Sequence, residues 1–225
     1  MKQELIHSAG RSKLLLIFSG WGGEPNLFAT DFREFTCDVM VCYDYTDMVF
    51  DSTILSQYAE VELVAWSMGV FVAGQIFRET RPQNIAKTTA INGTPYPIDN
   101  RRGIAENTFR ATLQGLENEA TRNVSLVKFR RRMCGNSEVL KDFLAHNPQR
   151  LPQELALELG AIQSHIQSSV ESNFEWDRAI IGTLDLIFLP ENQRNAWRGV
   201  AREIIELQEP HYFSNLPYKY LSVNE

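Results

Sequence analysis

The run Val64-Ala65-Trp66-Ser67-Met68-Gly69-Val70 carries the sharpest chemical signal in the chain. An apolar stretch of strand character leads straight into a serine, with small residues two positions before it (Ala65) and two after (Gly69). A helical pattern begins at once. This is the layout of a nucleophile elbow, G-x-S-x-G, with alanine in place of the first glycine. The small residues have a steric reason: the serine backbone is held strained in a sharp turn, and neighbouring chain passes too close for larger side chains. The helix N-terminus behind the serine favours developing negative charge. A serine N-cap after a strand has the same local look, so the surroundings must separate the two. Ser19-Gly20-Trp21-Gly22-Gly23 follows the first apolar strand pattern. In an elbow architecture the loop after that strand lends one backbone N–H to an oxyanion hole, and the residue after the nucleophile lends the other. Trp21 and Met68 are therefore the expected donors. A glycine-rich turn explains the first motif alone, but not the two motifs in this order.

A serine nucleophile needs a base, and the chain has four histidines. His7 precedes the first apolar strand, while His146 and His165 fall in a helical middle stretch where packed or exposed histidines are ordinary. His211, in Glu209-Pro210-His211-Tyr212-Phe213, follows the last strand pattern, where the base of such a triad belongs. The acid is expected after a strand between the two. Gly182-Thr183-Leu184-Asp185 meets that condition, and Asp185 would fix the imidazole tautomer and stabilise the imidazolium. Asp177 lies at the wrong end of its strand and Glu191 reads as a helix-start residue. Asp44 and Asp47 remain as competitors, as turn residues or polar groups on a pocket rim. The order Ser67…Asp185…His211 is that of the α/β-hydrolases.

The elements that must position these residues follow from the hydrophobic pattern. Apolar runs without alternation at 14–19, 39–43, 61–66, 88–92 and 179–181 predict strands of a parallel sheet covered on both faces. A further strand is expected at 203–207, and the polar stretch 3–8 could add an edge strand. Helices are expected at 51–58, 70–77 and 192–199. From about 97 to 174 strand signal almost vanishes, and helical patterns occupy 105–116, 137–145 and 151–168. The expectation is one domain over 1–225, an α/β fold with three α-β-α layers, a mostly parallel sheet and a helical lid insertion at about 97–174. Phe109, Leu113 and Leu116 read as packing within that lid rather than as contacts to a bound substrate.

Composition narrows the class further. The chain has 225 residues, 44% of them apolar and 22% charged, as in an ordinary globular protein. No apolar run approaches the ~18 residues of a membrane span. Met1-Lys2-Gln3-Glu4 is polar and no apolar signal core follows it, so a cytoplasmic protein without a membrane partner is expected. Cys37, Cys42 and Cys134 are odd in number and unpatterned, which points to neither a disulfide framework nor a metal site. The net charge of −6 argues against nucleic acid as a partner. It is unevenly spread: residues 101–132 hold eight basic residues and three acids, a +5 segment against −11 elsewhere.

Leu15-Leu16-Ile17-Phe18-Ser19-Gly20-Trp21-Gly22, Val64-Ala65-Trp66-Ser67-Met68-Gly69 and Pro210-His211-Tyr212-Phe213 together resemble the BioG family of pimeloyl-[acyl-carrier protein] methyl ester esterases. Tyr43-Asp44-Tyr45 and the run from Gly182-Thr183-Leu184-Asp185 through Pro190-Glu191-Asn192-Gln193 to Trp197 fit the same family. The resemblance spans essentially the whole chain and is weakest in the middle. It implies removal of the methyl ester that masks pimeloyl-ACP during biotin synthesis, with the triad on Ser67, Asp185 and His211, the hole on Trp21 and Met68, and no cofactor. It also gives the basic segment a candidate role. Acyl carrier proteins are acidic, and Arg101, Arg102, Arg110, Arg130, Arg131 and Arg132 could dock one; solvation of exposed helix faces is the alternative. Three contiguous arginines cannot share one helix face, so 130–132 cannot all meet the same partner. Another esterase, a thioesterase or an acyltransferase would use the same triad, and a non-catalytic binding protein could be built on the same fold.

Overall fold

A computed structural model describes residues 1–216 and Tyr218; the end of the domain expected over 1–225 lies outside the described residues. Among them, seven strands form one sheet: β1 (Lys2–His7), β2 (Lys13–Phe18), β3 (Asp38–Tyr43), β4 (Glu60–Trp66), β5 (Ile85–Ile91), β6 (Trp176–Gly182) and β7 (Ala201–Leu207). Their spatial order is β1-β3-β2-β4-β5-β6-β7. β1 runs antiparallel to β3 and every other pairing is parallel.

Burial explains the pattern. Leu14–Phe18 of β2 and Val61–Trp66 of β4 are shut off from solvent on both faces, as central parallel strands with helices above and below must be. The two edges are chemically different. β1 puts Lys2 and Glu4 on one rim, and β7 puts Arg202, Glu203 and Glu206 on the other, charges that discourage pairing with another chain.

Helix α1 (Met68–Ile76) follows β4 directly and is buried over its first seven residues. Between β5 and β6 the chain leaves the sheet for four helices: α2 (Glu106–Glu117), α3 (Arg122–Cys134), α4 (Ser137–Ala145) and α5 (Pro152–Ser168). α2 packs on α3 and α5, and α3 also meets α4 and α5. Helix α6 (Pro190–Trp197) returns the chain towards β7.

The structure departs from the expected elements in three ways. The stretch expected as a helix at 51–58 is a 3₁₀ segment, Ser52–Gln57, capped by the Asp51 carboxylate, which accepts the Thr53 N–H. Strands β5 and β6 start three residues earlier than the apolar pattern suggested. The added strand residues include Lys87, Asp177 and Arg178, and the Asp177 charge is satisfied inside the fold by Arg81 and Thr88. Helix α3 was not expected at all. Its apolar positions Leu126, Phe129 and Met133 are dispersed among Arg122, Lys128, Arg130, Arg131 and Arg132.

The loops that leave the carboxyl ends of β2, β4, β5, β6 and β7 converge on one rim. In open α/β sheets that rim is where ligands bind.

Candidate active site

Ser67 joins β4 to α1 with φ 57° and ψ −126°, a conformation that costs a non-glycine residue about 1–3 kcal/mol. The surroundings enforce it. A Cβ at Gly69 would run into the Phe18 and Ser19 carbonyl oxygens, and one at Gly20 would press on the Ser67 Cβ and the Trp66 ring. Ala65 is wholly buried on β4, a position that takes the extra methyl without disturbing the turn.

Ser67 Oγ lies 2.9 Å from His211 Nε2, and His211 Nδ1 lies 2.8 Å from Asp185 Oδ2. The three residues predicted from spacing alone thus form one hydrogen-bonded row, with His211 and Asp185 each 1% exposed. Asp185 is held firmly. Its Oδ1 accepts the N–H groups of Ile187 (2.7 Å) and Phe188 (3.0 Å), and Gln193 Nε2 donates to Oδ2 at 3.1 Å. The Phe188 ring stacks on the imidazole at 6.0 Å, and Trp66 Nε1 donates to the His211 carbonyl at 3.0 Å.

Trp21 and Met68 line the same small chamber as Ser67. Neither backbone N–H is bonded to an acceptor among the described residues. The Trp21 indole instead donates to the Leu155 carbonyl of α5. The chamber measures about 30 Å³ and is lined mostly by apolar groups, among them Ile104, Phe109, Leu159 and Ile187. Phe109, read as packing within the inserted helices, is buried and also lines the chamber that holds Ser67. Leu113 and Leu116 are buried and do not line it. Thr108, Thr112, Phe129 and Arg132 are shared with a second groove of about 500 Å³ between α2 and α3.

The other candidates are dispersed. His7 stacks on Phe32, and His146 contacts the Asn26 carbonyl. Asp47 meets the N-terminal ammonium. Asp44 pairs with Lys2 and Arg150. Of the six arginines, Arg132 lines the chamber and donates to the Leu186 carbonyl at 2.8 Å. Arg102 pairs with Asp99 and lies over the Tyr96 ring at 3.6 Å. Arg130 covers Phe143, and burial holds its pKa below the ordinary guanidinium value. Arg101, Arg110 and Arg131 are exposed.

Two residues of the site went unread in the sequence. Asn92, wholly buried just past β5, accepts the Gly182 N–H and donates to the carbonyls of Pro210 and His211. Gln193 steadies Asp185 from α6. The only signal for Asn92 was a polar side chain at the carboxyl end of a buried strand.

Residues 1–219 match the profile of the family described as pimeloyl-ACP methyl esterase BioG. The chain belongs to the BioG family. A Bacteroides fragilis protein named malonyl-[acyl-carrier protein] O-methyltransferase is 44% identical over 90% of this chain, which spans 40% of that relative's length. The crystal structure of BioG from Haemophilus influenzae superposes with a TM-score of 0.82 at 33% identity, covering 95% of this chain and 94% of that one. An esterase from Exiguobacterium antarcticum matches at a TM-score of 0.67 and 14% identity, covering 93% of this chain and 87% of its own, and shows the shared α/β-hydrolase fold. No helix among the described residues is long and apolar enough to cross a membrane.

Proposed function

We propose that the chain is a serine carboxylesterase that hydrolyses the methyl ester of pimeloyl-[acyl-carrier protein] in biotin synthesis. The observation that carries this reading is the row from Ser67 through His211 to Asp185, set beside two unengaged backbone N–H groups.

Ser67 Oγ attacks the ester carbonyl carbon while its proton passes to His211 Nε2. The oxyanion forms against the Trp21 and Met68 N–H groups, preorganised donors of the kind that contribute most to such reactions. The tetrahedral intermediate collapses, and methoxide leaves with the proton from the imidazolium as methanol. Water then attacks the acyl-enzyme, again giving its proton to His211, and the free carboxylate departs. Asp185 holds the imidazole with Nδ1–H directed at its carboxylate, a tautomer that leaves Nε2 free to act as base.

The cavities fit an ester at the end of a long tethered chain. About 30 Å³ over Ser67 accommodates the ester end and little more. The rest of the chain has an outlet in the α2–α3 groove, where Ser125, Lys128 and Arg132 succeed one another on one face of α3. Lys128 and Arg132 suit a carrier's anionic arm, and the inserted helices serve as a lid that closes over the acyl chain. The Bacteroides relative supports the same substrate class: its name assigns methyl transfer to a carrier-bound malonyl group, and the product of such a transfer is a carrier-bound methyl ester.

The deciding experiment incubates the protein with methyl pimeloyl-ACP and weighs the product. Loss of 14 Da from the carrier-bound species is the expected result, by the replacement of methyl with hydrogen. Release of the free half-ester with bare carrier would make the protein a thioesterase. No turnover, together with no labelling of Ser67 by a fluorophosphonate, would leave a binding protein on a hydrolase fold.

A further inference from the structure

Glu158 is the most deeply buried carboxylate that the chemistry above leaves unused. It lies on α5 with no exposed surface, yet touches the loop that carries the Trp21 N–H. Its Oε1 accepts the Tyr45 N–H at 2.9 Å. Its Oε2 accepts the Gly22 N–H at 3.3 Å and the Arg150 guanidinium at 2.6 Å. Arg150 continues to Asp44 at 3.1 Å. The Tyr45 hydroxyl donates to the Ser19 carbonyl at 2.7 Å, where the oxyanion loop begins. One turn before Glu158 on the same helix, the Leu155 carbonyl accepts the Trp21 indole N–H at 2.9 Å. Burial raises the Glu158 carboxyl pKa above the ordinary value, and Arg150 and the Tyr45 N–H offset only part of that rise.

The loop needs this support. Gly20, Gly22 and Gly23 surround Trp21, and glycine is the residue with most backbone freedom to lose. The Trp21 N–H belongs to the Gly20–Trp21 peptide, whose carbonyl accepts the Gly23 N–H at 3.0 Å. Because the peptide is planar, fixing that carbonyl fixes the N–H on its other side. Gly22, at φ +71°, is the link between the two, and Glu158 holds its N–H.

We propose that Glu158 is a positioning residue: from α5 it holds the Trp21–Gly22 turn so that the Trp21 N–H is aimed where the oxyanion forms. The inserted helices then do more than cover the substrate, because the hole is assembled only with α5 seated. This inference rests on the esterase reading of Ser67. An oxyanion donor acts on the transition state, not on the bound ester, so misplacing it lowers kcat and leaves KM alone.

The test compares wild type, Glu158→Ala and Glu158→Gln on a small p-nitrophenyl ester, and measures inhibition by a trifluoromethyl ketone, whose adduct with Ser67 carries an oxyanion. Rates are taken per active site titrated with a fluorophosphonate. Glu158→Ala is expected to lower kcat on the order of 10²-fold, with KM within about twofold. The ketone should weaken by the same factor as kcat/KM. Glu158→Gln keeps one carbonyl acceptor and should recover part of the loss. Should the alanine variant fail to fold, Glu158→Leu with Arg150→Met removes the acceptors without stranding a buried charge, a replacement proteins often tolerate. A folded variant of either kind with wild-type kcat and ketone affinity per titrated site would overturn the proposal, whatever its melting temperature. The esterase reading fails separately, if wild type neither takes the fluorophosphonate label nor turns over any ester.

Discussion

The side-chain amide of Asn92 donates to the His211 carbonyl at 2.9 Å while its oxygen accepts the Gly182 N–H at 2.6 Å. One buried residue at the end of β5 therefore ties the loop that carries the base to the loop that carries the acid. It also donates to the Pro210 carbonyl at 2.9 Å, so both its donors and its acceptor are engaged. Backbone bonds from the Leu184 N–H to the Glu209 carbonyl (3.1 Å) and from the Thr183 N–H to the Leu207 carbonyl (2.7 Å) also join the two loops, and the Asn92 tie reinforces them beside the 2.8 Å contact between His211 and Asp185. Asn92→Asp keeps the acceptor and removes both donors. The expected result is a loss of about 2 kcal/mol in stability, the scale of buried polar groups left unpaired. A fall in kcat on the order of tenfold should accompany it, from the looser base. Chemical denaturation and steady-state kinetics on the same preparation check both. Unchanged kcat would make Asn92 a structural tie only.

The Ser67 backbone trades stability for reactivity. Ser67→Ala and His211→Ala should each lower esterase turnover on the order of 10³-fold or more, and Asp185→Asn should be comparably severe. Ser67→Gly should be equally inactive, yet more stable than wild type by about 1 kcal/mol, because glycine adopts φ 57° without strain. A glycine variant no more stable than the alanine variant would show that the elbow stores no strain.

Most of this site was legible because its chemistry is local. The elbow serine, the glycine loop and the acid loop each follow a strand whose apolar run marks it, whereas the base loop follows the charged edge strand β7 and is marked by its own histidine and aromatics. Each therefore carries its own short signature. What escaped depends on contacts between distant segments. Asn92 reaches 119 residues along the chain to His211, and Glu158 reaches 136 residues back to Gly22. No window of sequence contains such a pair. Helix α3 escaped for another reason: a helix pinned between α2, α4 and α5 can keep a thin apolar stripe, and its five basic residues blur the helical period.

The early start of β6 yields a pH prediction. Burial opposes the Asp177 charge, but hydrogen bonds from Arg81 and Thr88 outweigh it and hold the carboxyl below the usual aspartate range. A folded-state pKa below the unfolded one means the stabilisation is fully present above about pH 4 and fades as pH falls through the folded value. Asp177→Asn should thus cost about 1 kcal/mol at neutral pH, the modest scale of a partly screened pair. Wild type and variant should converge in the acid range below pH 4. Melting curves across pH 2.5 to 7 test this, and a gap that stays constant with pH would refute it.

The last prediction concerns the carrier. If the basic face of α3 meets an acidic partner, the exposed charges that touch nothing else in the fold should govern the approach. Arg130 and Arg132 are unsuitable probes, because one covers Phe143 and the other holds the Leu186 carbonyl. Lys128 and Arg131 are exposed, and Lys128 lines the groove that opens from the chamber. Lys128→Ala with Arg131→Ala should mainly slow association, since rim charges set on-rate and salt dependence more than chemistry. For methyl pimeloyl-ACP, kcat/KM should fall by about 1 kcal/mol per effective contact at most, and it should respond less to added salt. Hydrolysis of a small uncharged ester should stay at the wild-type rate. Salt-titrated kinetics on both substrates make the comparison. Equal losses on both would mean that α3 supports the pocket rather than the partner. No loss on either would leave these two charges as solvent-facing only, and docking would then fall to Arg101, just before α2, and Arg110, on it.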